Sequence, residues 1–165
     1  MLPVTILAAQ KVSNLLVNGN ALEQQITATA AASNLEVPNI DPNQIVLSSV
    51  AADMADKDLQ LTYPRIAIYS TGLRNLQVEK FRSLSGVISV TSELWASANL
   101  LQQADQWIHC YVEALTEILR KNIGDWRDGI FFSGAYDVSF QAPKTGGVGY
   151  FGSAKVSCNL NVSRN

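Results

Sequence analysis

The chain has 165 residues, of which 47% are hydrophobic and 16% are charged, and its formal net charge is -2. A chain of this length suits one domain and buries roughly 70% of the surface that an unfolded chain exposes. Without an excess of basic residues, the composition argues against sequence-independent binding to a phosphate backbone. The charged fraction lies below the roughly 25% of average proteins, which is compatible with large contacts between subunits and also with a neutral polar surface.

The start of the chain predicts two helices. Residues 3–18 place apolar side chains at mostly helical spacing, with Pro3 suited to the first turn and Gly19 to the stop. An alanine-rich segment predicts a second helix up to about Ser33. Because this region has neither a basic n-region nor a full-length apolar stretch, we expect no secretory signal and no membrane span. We therefore expect the protein to fold in a cytoplasm.

The segment from residue 35 to residue 62 is less regular. Its prolines indicate a connection, after which Asp41 and Pro42 suit a helix cap and first position, whereas residues 44–50 suit a strand. We favour the strand. Three aspartates follow, but the ligand spacing and the glycine of a calcium loop are absent, so a solvated loop or helix end is the preferred interpretation; these residues are Asp53, Asp56 and Asp58.

Four later segments alternate apolar and polar side chains and are predicted as strands, at residues 63–70, 86–96, 135–142 and 154–163. In the second of them Trp95 lies opposite the more apolar side, where it covers a neighbouring element or meets a partner. Between the first two strands, the connection has the densest basic charge of the chain, and we interpret it as a solvated loop or interface arm; its basic residues are Arg74, Lys80 and Arg82.

Residues 99–122 predict the clearest element, an amphipathic helix with Asn99 as the N-cap, Arg120 and Lys121 in the last turn and Gly124 as the stop. We predict an α+β fold in which this long helix lies against a mainly antiparallel sheet, with additional N-terminal helices. The whole chain, 1–165, forms a single domain in this interpretation. Residues 1–62 supply the N-terminal helices and connection, and residues 63–165 supply the sheet and core helix.

A glycine-rich segment joins the last two strands and is too long for a minimal hairpin turn. It bears two aromatic side chains that are costly to leave in solvent, so we predict an arm that contacts another subunit or a partner. The alternative is a hairpin tip in solvent. The candidate interface residues of this arm are Lys144, Gly146, Gly147, Tyr150 and Phe151.

No residue pattern predicts a reaction. The GxGxxG match at residues 147–152 precedes a predicted strand instead of a helix, which argues against dinucleotide binding. His109 lies on the predicted helix and suits a structural histidine better than a general base. Cys110 and Cys158 suit buried small apolar residues, and no zinc-ligand spacing is present. We therefore predict no catalytic, cofactor-binding or metal-binding residue.

From Tyr63 to Ser163 the chain resembles bacteriophage tail-terminator or neck proteins, which close the tail tube and join it to the head. The similarity consists of several short pieces in one order: YPRIAIY, EKFRSLSGVISVTSELWAS, YVEAL, NIGDW, GAYDVSFQAPKTGG and SAKVSCNLNVS. Residues 1–62 match less clearly.

The resemblance implies a small α+β domain, a homohexameric ring and no catalysis. Its partners would be further copies of itself, a tail-tube protein and a head-completion or connector protein, with DNA only passing through the ring lumen. The location would be the virion tail or neck, assembled in the host cytoplasm, and no membrane or cofactor would be involved. A connector or tail-tube protein is the alternative within this class, and an enzyme using His109 is a distant third hypothesis.

Overall fold

The structure is a computed structural model that describes residues 2–48, 62–78, 80–145 and 149–165. Its helices are α1 (Val4–Val17), α2 (Ala21–Ser33) and α3 (Leu101–Lys121), with short 3-10 turns at Asn18–Asn20 and Pro42–Gln44. Its strands are β1 (Ile45–Val46), β2 (Arg65–Asn75), β3 (Leu84–Ala98), β4 (Gly124–Asp125), β5 (Ile130–Thr145) and β6 (Tyr150–Arg164).

The strands form one curled, mixed sheet in the order β1-β2-β3-β6-β5-β4. Every pairing is antiparallel except that of β1 with β2. The predicted α+β class and the predicted long strands are confirmed. Along β3 and β6, alternate side chains are fully buried on the side that faces the helices, because period-two alternation puts every second residue on one face.

Helix α3 supplies much of the core through side chains that recur every three or four positions, including Ile108, Tyr111 and Leu115. One side of this helix packs on β3 and β6, and it also packs against α2. The Tyr111 hydroxyl donates to the Pro38 carbonyl at 2.7 Å, which fastens the chain after α2 to the same core. The predicted helix is thus present, and the prediction that it lies across the sheet holds in part.

Both predicted ends of this helix are wrong in detail. The prediction that Asn99 caps α3 fails because the residue before the helix is Leu100, which has an extended backbone and no side-chain cap bond. The prediction that Gly124 stops the helix fails because α3 ends earlier, where the Asn122 side-chain amide donates to the Ile118 carbonyl at 2.8 Å. Gly124 instead begins β4.

The two hypotheses for residues 41–50 both hold over short lengths. The Asp41 carboxylate accepts from the Asn43 amide at 2.9 Å, and the Gln44 side chain accepts from the Asp41 amide at 2.9 Å, so a capping box opens a single 3-10 turn. The strand then occupies only Ile45–Val46. Residues 49–61, which include the three aspartates, lie outside the described residues.

Strand β5 begins at Ile130, five positions before the predicted start. Sequence composition is misleading here because glycines surround Ile130 and Phe132, yet both side chains are fully buried and pair with β6 residues Val162 and Leu160. Tertiary packing overrides the turn-like composition of this segment.

Gly152 of β6 is the point of closest approach between α3 and the sheet. A Cβ atom at this position would lie 2.8 Å from Ile108 Cγ1 and 3.1 Å from the Ala104 carbonyl oxygen. The backbone of the helix turn that contains Ala104 therefore rests directly on a position that has no side chain.

We predict that Gly152→Ala lowers the free energy of unfolding by about 1–3 kcal/mol, because the added methyl group overpacks the contact between α3 and β6. Urea unfolding of the purified variant measures this loss. Gly72→Ala is the matched control, since a Cβ at Gly72 would meet nothing within 4 Å. Equal stability of the two variants would show that α3 can shift away from β6 at little cost.

Candidate assembly surfaces

The end of the β5–β6 hairpin contains three of the five predicted arm residues. Lys144 pairs with Phe151, and Thr145 pairs with Tyr150, so the two strands remain paired as far as Thr145 and Tyr150. Gly146 and Gly147 lie outside the described residues. Lys144 is exposed, whereas Tyr150 and Phe151 are half-buried. The described part of the predicted arm is thus a continuation of the sheet.

Phe151 belongs to an aromatic cluster within its own chain. Its ring meets the ring of Tyr63 edge-on at a centroid distance of 5.1 Å, and Tyr63 stacks on Trp95 at 6.4 Å with 10° between the planes. Trp95 therefore covers a neighbouring element, as one of the two hypotheses for it required. The indole Nε1 of Trp95 is buried and has no hydrogen-bond partner among the described residues.

The cluster lies on the outer face, which we define as the side of the sheet opposite α3. This face has a row of short polar side chains that bond across strands. Ser89 Oγ donates to Asn159 Oδ1 at 2.8 Å, the Thr91 and Ser157 hydroxyls are 2.8 Å apart, and Ser153 donates to Gln141 at 3.0 Å. A trough of about 580 Å³ runs over it, lined partly by Ser89, Asn159 and Asn161. These contacts satisfy polar groups within the chain.

Tyr69 and Glu93 form a further polar contact on this face. The Tyr69 hydroxyl donates to Glu93 Oε2 at 2.9 Å, and Glu93 is 9% exposed. Burial, together with the bond to this carboxylate, raises the pKa of Tyr69 to about 12. The pair joins β2 to β3.

A second surface, here called the rim, lies where α3 meets β5 and consists of Asp105, His109, Val138 and Phe140. The His109 ring stacks on the Phe140 ring at a centroid distance of 4.3 Å, and its Nε2 lies 3.7 Å from Asp105 Oδ1. Phe140 remains 48% exposed. His109 is therefore a helix-surface histidine, in agreement with the structural interpretation of it.

The rim borders a strand edge that lacks a partner. In the described chain, β4 pairs with β5 only at Phe131 and Phe132, and no backbone hydrogen bond reaches the outer edge of β5 beyond them. The edge contains Pro143, which cannot donate a hydrogen bond and is tolerated in such positions. From residue 133 to residue 141 the only charged side chain is Asp137.

A third surface is the β2–β3 loop, which we define as Leu76, Val78, Lys80 and Phe81. Val78 is 97% exposed and Phe81 is 84% exposed, and Leu76 is also exposed. Large apolar side chains that leave the core to this extent usually indicate contact with another molecule when they occur together.

The base of this loop is held firmly. The Leu76 amide donates to the Ser85 carbonyl at 2.9 Å, the Ser85 amide donates to Asn75 Oδ1 at 3.2 Å, and Arg82 donates to the Ser163 hydroxyl. Glycine is required at position 86, because a Cβ there would collide with the Arg74 carbonyl. The exposed tip therefore projects from an ordered support.

The described side chains that could take part in a reaction are not brought together into a reactive centre. Cys110 and Cys158 are both free and buried, as predicted, and burial raises the pKa of each thiol, that of Cys158 to about 12. In the described ranges, no group of three or more His, Cys, Asp or Glu side chains is placed to hold a metal ion. The GxGxxG segment leads into strand β6, which agrees with the argument against a dinucleotide site.

Neither a protein-family model nor a curated protein matches this sequence. None of the described helices combines the length and apolar content that a membrane crossing requires.

Sequence reasoning did not identify the rim. Phe140 alternates with polar residues as an ordinary strand residue does, and its exposure arises because no described strand lies beside this part of β5. The β2–β3 loop gave a clearer signal. Apolar Leu76, Val78 and Phe81 stand in a polar, basic connection, where apolar residues have no core to fill.

We predict that Tyr69→Phe reduces the loss of stability between pH 10 and pH 12. The ordinary tyrosine pKa is 10.0, and the folded value is about 12. The stabilisation is thus complete below pH 10 and is lost as the pH rises through 12, because the unfolded chain releases this proton first. Unfolding in urea across this pH range measures the slope, and identical slopes for the variant and the natural chain would contradict the assignment.

Proposed function

We propose that this protein is a structural protein of a bacteriophage virion that forms a ring at the end of the tail tube, terminates tube growth and joins the tail to the head. The resemblance between Tyr63 and Ser163 supports this proposal. An α+β domain with a long helix against mainly antiparallel strands is also the architecture that the resemblance implies.

The observation on which the proposal rests is that, among the described residues, the outer edge of β5 has no partner beyond Phe132, beside exposed Phe140. Unpaired amides and carbonyls along a strand are a template for another chain, and natural monomers usually protect such edges with charges, bulges or a covering element. Here Asp137 is the only charge over nine residues of that edge. Assembly with other subunits would protect it.

Ring formation would give the proposed role its mechanism. A ring seated on the open end of the tube would cover the surface on which the next tube ring stacks, so growth would stop. Repeated contacts around the ring would combine modest individual affinities into a stable cap. A net charge of -2 suits a lumen through which DNA passes without being held.

The hairpin end from Lys144 to Phe151 would supply contacts between subunits or to the tube. Lys144 and Thr145 are exposed, and the strands that present them are supported by the contact between Phe151 and Tyr63. A supported hairpin loses less conformational entropy on binding than a free arm does.

A tail-tube protein or a head-completion connector is the second candidate, since a free strand edge would serve these assemblies equally well. Purified tube protein would polymerise into tubes, and a connector would bind a capsid portal, whereas a terminator would do neither alone.

We predict that the purified chain forms a ring of about six subunits. Light scattering would then give a mass of about six times 17.9 kDa, and negative-stain images of the same sample would show closed rings. Long tubes would favour the tail-tube alternative. A chain that stays monomeric would count against the ring and favour a connector.

We also predict that deletion of residues 145–149 abolishes ring formation or attachment to tail tubes while leaving the fold intact, because the core pairing of β5 with β6 lies beyond the deletion. Urea unfolding serves as the control for the fold. Unchanged rings together with unchanged tail joining would show that the hairpin end has no role in assembly.

A further inference from the structure

The β2–β3 loop and the rim are two exposed apolar features that adjoin charged residues in the described chain. In the loop, Val78 and Phe81 are 97% and 84% exposed. In the rim, Phe140 is 48% exposed although the His109 ring of α3 stacks on it. Among the described residues, neither surface is covered by a second apolar surface.

The two surfaces have opposite charge. Residues 74–82 contain three basic side chains and one acidic side chain. Along α3, His109 of the rim lies between two acidic residues, each one helical turn away: Asp105 of the rim and the adjoining Glu113. The rim thus has acidic side chains beside exposed Phe140, and the β2–β3 loop has basic side chains beside exposed Val78 and Phe81. The two surfaces therefore complement each other in charge.

One chain cannot bring these surfaces together. The loop joins β2 and β3 at the end where Leu84 pairs with Arg164, whereas Phe140 pairs with Ala154, which pairs with Leu94. The ten residues from Leu84 to Leu94 span roughly 33 Å along the strand. The surfaces also lie on opposite sides of β6, so they occupy diagonally opposite corners of the sheet.

We propose that the β2–β3 loop of one copy docks on the rim of the next copy, with Val78 and Phe81 packed against Phe140. This contact joins the loop of one copy to a different surface, the rim, on the next copy, so it is head-to-tail. Repetition of a head-to-tail contact generates a closed ring or an open helix. The inference rests on the proposed ring and specifies which two surfaces form it. The loop base held by Asn75, Ser85 and Arg82 presents the docking residues in a fixed geometry.

The first test compares substitutions in each surface with a matched control. Val78→Ser with Phe81→Ser removes the loop contact, and Phe140→Ser removes the rim contact. Ile6→Ser is the control, because Ile6 is 47% exposed on α1 and belongs to neither surface. Light scattering over a dilution series measures the concentration at which rings dissociate.

We expect the loop variant and the rim variant each to raise that concentration by at least about tenfold, as loss of a central contact residue does. The control should stay within about twofold of the natural chain. If rings of natural sequence form and both variants assemble like the control, the ring stands and this contact is wrong. If the natural chain never assembles, the proposed ring itself fails.

The second test uses cross-linking to identify which surfaces meet. Val78→Cys and Phe140→Cys introduce reactive thiols, while the natural Cys110 and Cys158 are buried and stay unmodified. With a short bismaleimide, the doubly substituted chain should give a ladder of covalent oligomers. Phe140→Cys alone should give none, and dimers from it would show that two β5 edges meet each other, which would overturn the head-to-tail contact.

Discussion

The contact between α3 and the central strands is the constraint on which the rest of the structure depends. Because Gly152 has no side chain, the helix turn at Ala104 rests on the backbone of β6, and Ile108, Tyr111 and Leu115 enter the space between helix and sheet. Close packing of this kind leaves no freedom to slide the helix along the sheet. The helices therefore cover one face of β3 and β6, and polar side chains of the outer face are bonded to one another.

The same arrangement explains why exposed apolar groups occur at the corners of the sheet. Helix α3 covers the middle of the inner face but ends its coverage at β5, where His109 stacks on Phe140 without enclosing it. At the opposite corner, Val78 and Phe81 of the β2–β3 loop are largely exposed among the described residues. These two corners of the six-stranded sheet are the positions at which we propose contacts with other subunits.

Periodicity in the sequence predicted the elements whose two sides have different environments. The helical spacing of Ile108, Leu115 and Leu119, and the alternation of Val156, Cys158 and Leu160, are direct consequences of one buried side. It could not predict how short β1 is, because two residues contain no period, or the start of β5, because burial of Phe132 depends on β6. The exposure of Phe140 was equally inaccessible, since it arises because no described strand lies beside this part of β5, which leaves no mark on local composition.

The position of β6 has a consequence for how the chain acquires its structure. This strand lies between β3 and β5 in the sheet, but it comes after both of them along the chain. Its Asn159 side chain accepts a hydrogen bond from Ser89, which lies 70 positions earlier. During synthesis, β2 and β3 can pair and α3 can form, yet β3 and β5 each keep an open edge until β6 leaves the ribosome. Such long-range closure is slow relative to local pairing. The nascent chain thus passes through a stage in which its most apolar strands are unprotected, and early termination anywhere before residue 150 leaves a sheet divided in two.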